Sequence, residues 1–149
     1  MQPLEITEDY KPLRDFFDLS ARGILMAQSK KTVLLVDDDD DQLLFFSTFL
    51  EKRGYQVLTA NCVAQALQLL RDNTVDVIVT DILMPRISGE DLIHHLRSNS
   101  VLGAIPIVAI SASCEEARDW ISHEDGPDMF CLKNEATRML PGQLEFLLS

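Results

Sequence analysis

The sequence predicts an α/β protein with a doubly wound sheet of five parallel strands. Short apolar runs rich in β-branched residues alternate along the chain with segments whose apolar residues recur at helical spacing. The runs are apolar at consecutive positions, which is typical of strands covered on both faces. Because strand–helix–strand connections are right-handed, the helices should cover both faces of the sheet and give three layers, α/β/α.

Turn residues and periodicity set the limits of each predicted element. The strands are predicted at residues 32–36, 56–60, 75–81, 105–110 and 129–132. The helices are predicted at residues 42–52, 63–72, 90–97, 115–122 and 141–148. Gly54 is expected to end the first helix, Asn61 to cap the second, and Gly89 to open the third. Pro141 is expected in the first turn of the last helix, where its missing N–H is harmless.

The length and charge of the chain narrow its function class. Its 149 residues suffice for one domain with a proper core, and its 46% hydrophobic and 25% charged residues are ordinary for a soluble globular protein. The net charge of −11, without a visible basic cluster, argues against direct nucleic-acid binding. No apolar run approaches the roughly 20 residues that span a bilayer. We expect a cytoplasmic protein with no membrane span.

The start of the chain and its cysteines support the same interpretation. Residues 1–28 are interpreted as an N-terminal extension, either loosely packed or a partner-docking helix, and residues 29–149 as the folded domain. Met26 is an alternative true start. The first residues lack the apolar core of a signal peptide. Cys62, Cys114 and Cys131 have no metal-ligand spacing and are interpreted as reduced packing residues.

Polar residues follow the predicted strands where their carboxyl ends meet. Asp37 and Asp38 follow the first strand, and Asp81 ends the third. Ser111 follows the fourth strand and Lys133 follows the fifth. Ligands of open α/β sheets bind just outside the carboxyl ends of the strands. Each residue alone would be better explained as a helix cap or a surface ion pair, but five of them on one rim predict a site.

The chemistry of this rim suits phosphoryl transfer. Three carboxylates in proximity repel one another, and a hard dication such as Mg²⁺ relieves that repulsion. Lys133 and the Ser111 hydroxyl can contact an anion. Phosphoryl transfer is catalysed mainly by positioning and charge neutralisation, which these groups supply. Asp81 is the expected nucleophile because its strand is central and faces Lys133.

From about residue 31 to Ser149 the chain resembles a response-regulator receiver domain. The resemblance rests on Val36-Asp37-Asp38, on Asp81-Ile82-Leu83-Met84-Pro85 with Gly89, on Ser111-Ala112, and on Lys133. It implies a flavodoxin-like (βα)5 fold and a signalling switch rather than an enzyme. It also implies that a sensor histidine kinase or a histidine phosphotransfer protein phosphorylates Asp81. An unknown downstream protein would then read the signal.

The resemblance also implies a role for each site residue. Asp38, Asp81 and the Leu83 carbonyl would hold Mg²⁺, with Mn²⁺ as a substitute, and Asp37 would act through water. Ser111, the Ala112 backbone and Lys133 would contact the phosphoryl group. Ser111 and Phe130 would form a switch in which the ring turns inward; Phe130 is equally well explained as an ordinary apolar strand residue.

Two departures from the family pattern and two alternative functions remain at this point. Serine stands at 111 where threonine is commoner, and Asn134 stands where the family usually has proline. We therefore predict a trans Lys133–Asn134 bond and a rerouted loop over residues 134–140. One alternative function is a pseudo-receiver scaffold that works without phosphorylation. A less favoured one is an aspartate-nucleophile phosphatase, because Asp41 stands where that motif needs Thr or Val. His94 and His95 are interpreted as an exposed helix face.

Overall fold

A computed structural model of the chain describes residues 30–84, 88–118 and 124–149. The helices and strands of the described residues lie in one compact unit, Lys31–Ser149. The strands are β1 (Thr32–Val36), β2 (Gln56–Ala60), β3 (Val77–Asp81), β4 (Ile107–Ser111) and β5 (Met129–Leu132). The helices are α1 (Asp40–Glu51), α2 (Val63–Asp72), α3 (Gly89–Arg97), α4 (Cys114–Arg118) and α5 (Ala136–Leu148). Short 3-10 turns occupy Leu102–Ala104 and Lys133–Glu135.

The strands form one parallel sheet in the order β2-β1-β3-β4-β5. This confirms the predicted five-stranded, doubly wound, flavodoxin-like fold. The strand order changes direction between β1 and β3, which is the switch point where such sheets bind ligands. Asp37 follows β1 and Asp81 ends β3, so the fold places both acids beside that point.

Each face of the sheet packs against its own helices, because neighbouring strand residues point to opposite sides. Leu34 and Val36 belong to a core cluster with α2 and α3, whereas Val33 and Leu35 belong to a second cluster with α1 and α5. Continuous apolar runs are therefore needed to fill both layers. In the described part of the chain, no helix is long and apolar enough to cross a membrane.

The last helix begins earlier than predicted. It starts at Ala136, so Pro141 lies inside it and the residues expected in a rerouted loop are helical. Ala136, Leu140 and Leu144 lie at four-residue spacing and are fully or almost fully buried in the second cluster. Burying a leucine contributes about 1.5–3 kcal/mol, so two of them offset the roughly 3 kcal/mol that an interior proline costs. The predicted trans bond between Lys133 and Asn134 is confirmed.

Two smaller predictions are also wrong. Cys62 rather than Asn61 precedes the first residue of α2, and the Asn61 amide instead donates to the side chain of Gln65 at 2.8 Å. Cys62 and Cys114 are exposed, so only Cys131 is a packing residue, although all three thiols are free as expected. The exposed positions of His94 and His95 are confirmed. The expected N-terminal extension and the predicted end of the fourth helix lie outside the described residues.

Candidate phosphoacceptor and metal site

The carboxyl rim of the sheet brings the predicted acids together. One carboxylate oxygen from each of Asp37, Asp38 and Asp81 lies within 4.8 Å of the others. Asp37 and Asp81 are buried and Asp38 is exposed, so the cluster is shielded from solvent at the first two acids and accessible at the third. The Asp37 amide donates to the Ala60 carbonyl at 3.1 Å, which extends the pairing of β1 and fixes the first acid.

The next acids of the run belong to helix α1. Asp39 is the N-cap residue, and its side chain accepts hydrogen bonds from the amides of Asp41 and Gln42. Asp40 and Asp41 occupy the first turn, where negative charge suits the helix macrodipole. The five consecutive acids therefore divide into two at the site and three that begin a helix.

Backbone amides hold the two buried carboxylates in place. Asp37 Oδ1 accepts from the Asp39 amide at 3.0 Å, and Asp81 Oδ1 accepts from the Leu83 amide at 3.2 Å. The other oxygen of each acid faces Lys133, whose Nζ lies 3.3 Å from Asp81 Oδ2 and 3.9 Å from Asp37 Oδ2. Each carboxylate thus has one oxygen fixed by the backbone and one directed at the lysine.

Burial and charge shift the pKa values of this group. Burial raises the pKa of Asp37 to about 6; the Asp39 amide and Lys133 lower it, and Asp81 and Asp38 raise it. Burial lowers the pKa of Lys133, but the carboxylates of Asp81 and Asp37 more than compensate and raise it above the ordinary lysine value. The raised pKa of Lys133 favours its protonated, cationic form, whereas the raised pKa of Asp37 makes its ionised form less favourable than that of an ordinary aspartate.

This donor set fits a hard divalent cation. All three side chains offer carboxylate oxygens, which Mg²⁺ and Mn²⁺ prefer. Burial is the main cause of the raised pKa of Asp37, and Asp81 and Asp38 add to it, so a nearby cation would favour the ionised form of this acid. The carbonyl of Leu83 remains a predicted metal ligand beside Asp38 and Asp81. Leu83 as a whole residue is exposed.

Ser111 and Phe130 lie in the neighbouring strands. The Ser111 hydroxyl is fully buried and donates to the Ser113 carbonyl at 2.6 Å, so here it contacts the loop after β4. Ala112 follows it in that loop and is exposed. Phe130 is half-buried against the first core cluster. Their roles toward a phosphoryl group stay predictions.

Gly89 supports the site in a way that the sequence did not reveal. Its amide donates to the Ile82 carbonyl at 2.8 Å, and the first turn of α3 lies directly against the backbone of Asp81. A Cβ at Gly89 would collide with the Asp81 carbonyl oxygen and lie 2.9 Å from the Ile82 Cα. Glycine is a weak helix former inside a helix, so its presence as the first helical residue was the available signal.

Comparison with known proteins agrees with this geometry. The family described as "Response regulator receiver domain" matches residues 33–143. The response regulator SaeR of Staphylococcus epidermidis is 35% identical over 69 residues, 46% of this chain and 29% of SaeR. The transcriptional regulatory protein GltR of Pseudomonas aeruginosa is 30% identical over 101 residues, 68% of this chain and 42% of GltR. The chain thus spans less than half the length of these curated relatives.

Solved structures of similar fold align almost completely with about four fifths of this chain. The chemotaxis response regulator CheY4 of Vibrio cholerae is 26% identical with a TM-score of 0.71, covering 80% of this chain and 99% of that one. The response regulator TrrA of Thermotoga maritima, in complex with Mg²⁺–BeF, is 25% identical with a TM-score of 0.71, covering 79% and 99%.

Proposed function

Because the chain belongs to the response regulator receiver domain family, we propose that Asp81 accepts a phosphoryl group with Mg²⁺ and switches a protein–protein contact. Receiver domains are signalling switches of two-component systems and are generally not classed as enzymes. The observation that carries the proposal is one cluster of three carboxylates in which Lys133 Nζ lies 3.3 Å from Asp81 Oδ2.

The proposed metal ligands are Asp38, Asp81 and the Leu83 carbonyl, with Asp37 acting through water. A bound Mg²⁺ would neutralise the charge of the acids and of the incoming phosphoryl oxygens. Two hydrogen bonds support this role, because the Asp39 amide holds the side chain of buried Asp37 and the Leu83 amide holds that of Asp81. Mn²⁺ has the same oxygen preference and should substitute.

In the proposed transfer, the Asp81 carboxylate attacks the phosphorus of a phosphohistidine. An oxygen–phosphorus bond forms, the nitrogen–phosphorus bond breaks, and the imidazole leaves with its electron pair and takes up a proton from solvent. The Lys133 ammonium would then move from Asp81 Oδ2 to the phosphoryl oxygens, because the acyl phosphate carries more negative charge than the carboxylate that it replaces. Its protonated state is secured by the raised pKa.

The proposed switch links Ser111 to Phe130. The Ser111 hydroxyl would exchange its 2.6 Å hydrogen bond with the Ser113 carbonyl for one to the phosphoryl group, and the Ala112 backbone would approach the same group. The loop after β4 would move with it. The half-buried ring of Phe130 could then turn inward and change the surface near β5.

The proposed partners follow from this chemistry. Receiver domains interact with histidine kinases and phosphotransfer proteins, and we propose one of these as the donor for this chain. A downstream protein would read the altered surface. The net charge of −11 argues against direct nucleic-acid contact, and the free thiols fit a reducing cytoplasm.

Intact-mass measurement tests this proposal. Incubation with acetyl phosphate and Mg²⁺ should add one phosphoryl group, and EDTA should prevent the gain. Asp81→Asn should abolish it. Asp39→Asn is the matched control, because Asp39 is an exposed helix cap and should leave the gain intact. A full gain in Asp81→Asn, or no gain in the unaltered protein, would refute the assignment and favour a scaffold without phosphorylation.

A further inference from the structure

The amino end of β5 is held by an arginine on the opposite rim from the candidate site. Arg97, the last residue of α3, donates from Nη1 to the carbonyls of Gly103 and Ile105 at 2.7 and 3.0 Å. Its Nε donates to the Gly126 carbonyl at 3.2 Å, and its Nη2 lies 2.6 Å from Asp128 Oδ2. One side chain, only 13% exposed, thus joins the connections that enter β4 and β5.

Asp128 carries this connection into the sheet. Its Oδ2 also accepts from the Ile107 amide at 2.7 Å, while its own amide donates to the Ile107 carbonyl at 2.9 Å. Two hydrogen bonds thereby pair Asp128 with Ile107 immediately before β5 begins. Shifting β5 by one residue would bring Pro127 or Met129 to this place. Neither has a carboxylate, and Pro127 also lacks an N–H.

Burial alone specifies the register of β5 weakly. The strand has four residues, Met-Phe-Cys-Leu, and every one of them is apolar. Among the described strands it lies at the edge of the sheet and pairs with β4 alone. A slip of one residue would therefore still present apolar side chains to both faces. It would, however, turn each side chain to the opposite face of the sheet.

Lys133 directly follows β5, so its position depends on that register. We propose that Arg97 and Asp128 lock the register of β5 and are thereby positioning residues for Lys133, an inference that rests on the proposed function. A slip of one residue moves the Lys133 Cα by about 3.3 Å and reverses its side chain. The 3.3 Å contact of Lys133 with Asp81 would then be lost.

A double-mutant cycle separates positioning from general stability. Asp128→Ala should slow phosphorylation by acetyl phosphate about tenfold or more, because small misplacements at a reacting centre have effects of this size. In a Lys133→Met background the same change should alter the rate less than about twofold, since a lysine that is absent cannot be misplaced. Equal factors in both backgrounds would overturn the proposal.

Two further variants sharpen the test. Asp128→Asn keeps an acceptor oxygen for Arg97 and Ile107 and should recover most of the rate. Asp76→Ala is the matched control, because the Asp76 carboxylate accepts a hydrogen bond from the Thr32 amide at 2.8 Å immediately before β3. Strands on both sides fix the register of β3, so losing this bond should not shift it. Its rate should be close to that of the unaltered protein. A loss in Asp76→Ala as large as in Asp128→Ala would contradict the register lock.

Amide hydrogen exchange tests the lock without phosphorylation. In Asp128→Ala the amides of Met129–Leu132 should exchange faster than in the unaltered protein, while the exchange rates of Val77–Asp81 stay unchanged. Arg97→Met takes the place of Asp128→Ala if the latter does not fold. Exchange in β5 equal to that of the unaltered protein would refute the inference. If the unaltered protein takes up no phosphoryl group, the proposed function fails, and this measurement alone decides the register lock.

Discussion

Replacing Asp37 with asparagine should stabilise the metal-free protein at neutral pH. The folded protein raises the pKa of Asp37 from 3.8 to about 6, mainly by burial, so its ionised form is less favourable in the folded than in the unfolded chain. A difference of this size corresponds to about 3 kcal/mol in the free energy of unfolding. Asparagine keeps an oxygen to accept the Asp39 amide without carrying the charge.

The sign of the pH dependence follows from the direction of the shift. Between pH 3.8 and about 6 the folded state binds more protons at Asp37 than the unfolded state, so this residue lowers stability as the pH rises. Below that window both states are protonated and Asp37→Asn should match the unaltered protein. Above it the variant should be more stable by about 2–3 kcal/mol.

Urea unfolding in EDTA at several pH values from 4 to 7.5 measures this difference. Asp40→Asn is the control, because Asp40 is exposed in the first turn of α1, and its loss should cost about 0.3–1 kcal/mol. Added Mg²⁺ should narrow the gap between Asp37→Asn and the unaltered protein, because the metal stabilises the complete acid cluster more. A difference that does not grow with pH, or a variant that is less stable at pH 7 without metal, would refute the electrostatic account.

Three further predictions concern the metal, the glycines and the extension. Asp38→Ala should weaken Mg²⁺ binding, measured by calorimetry, by more than about tenfold, because even residues that only orient a metal ligand have effects of this size. Asp39→Ala should leave the affinity unchanged. Equal losses in the two variants would indicate that the acidic run attracts the ion as a diffuse field. Gly89→Ala should destabilise the fold by about 1–3 kcal/mol and slow phosphorylation, because its Cβ would collide with the Asp81 backbone. Gly142→Ala is the control: this glycine lies on a helix with open space around it, so the change should stabilise the fold by about 0.4–1 kcal/mol. A Gly89→Ala variant that melts at a higher temperature than Gly142→Ala would contradict the contact with Asp81. A shortened chain starting at Met26 should fold and accept phosphate; an unfolded or inert product would contradict the predicted domain boundary.

The sheet and its rim could be predicted from the sequence because their signals are local. Continuous apolar runs identify buried parallel strands, and the residue after each run must lie on the carboxyl rim. The sequence pattern therefore predicts that Asp37, Asp81 and Lys133 lie close together, and the structure confirms this. Their separation of 44 and 52 residues along the chain did not matter, since strand topology alone places them.

The parts that could not be predicted depend on contacts between distant segments. Pro141 signals a helix start locally, but burial of Leu140 and Leu144 extends α5 to include it. Arg97 and Asp128 look like surface charges in the sequence, and only the fold makes them one network. Gly89 looks like a helix boundary, and only packing explains why it must be glycine.

Locating the phosphoryl group on the chain decides whether Asp81 is the phosphoacceptor. The protein is phosphorylated with acetyl phosphate and Mg²⁺, digested, and mapped by peptide mass spectrometry, with a parallel sample treated with hydroxylamine, which cleaves acyl phosphates but not phosphate esters. We expect a single hydroxylamine-labile phosphoryl group on Asp81. A phosphoryl group that resists hydroxylamine, or one that maps to any other residue, would contradict it.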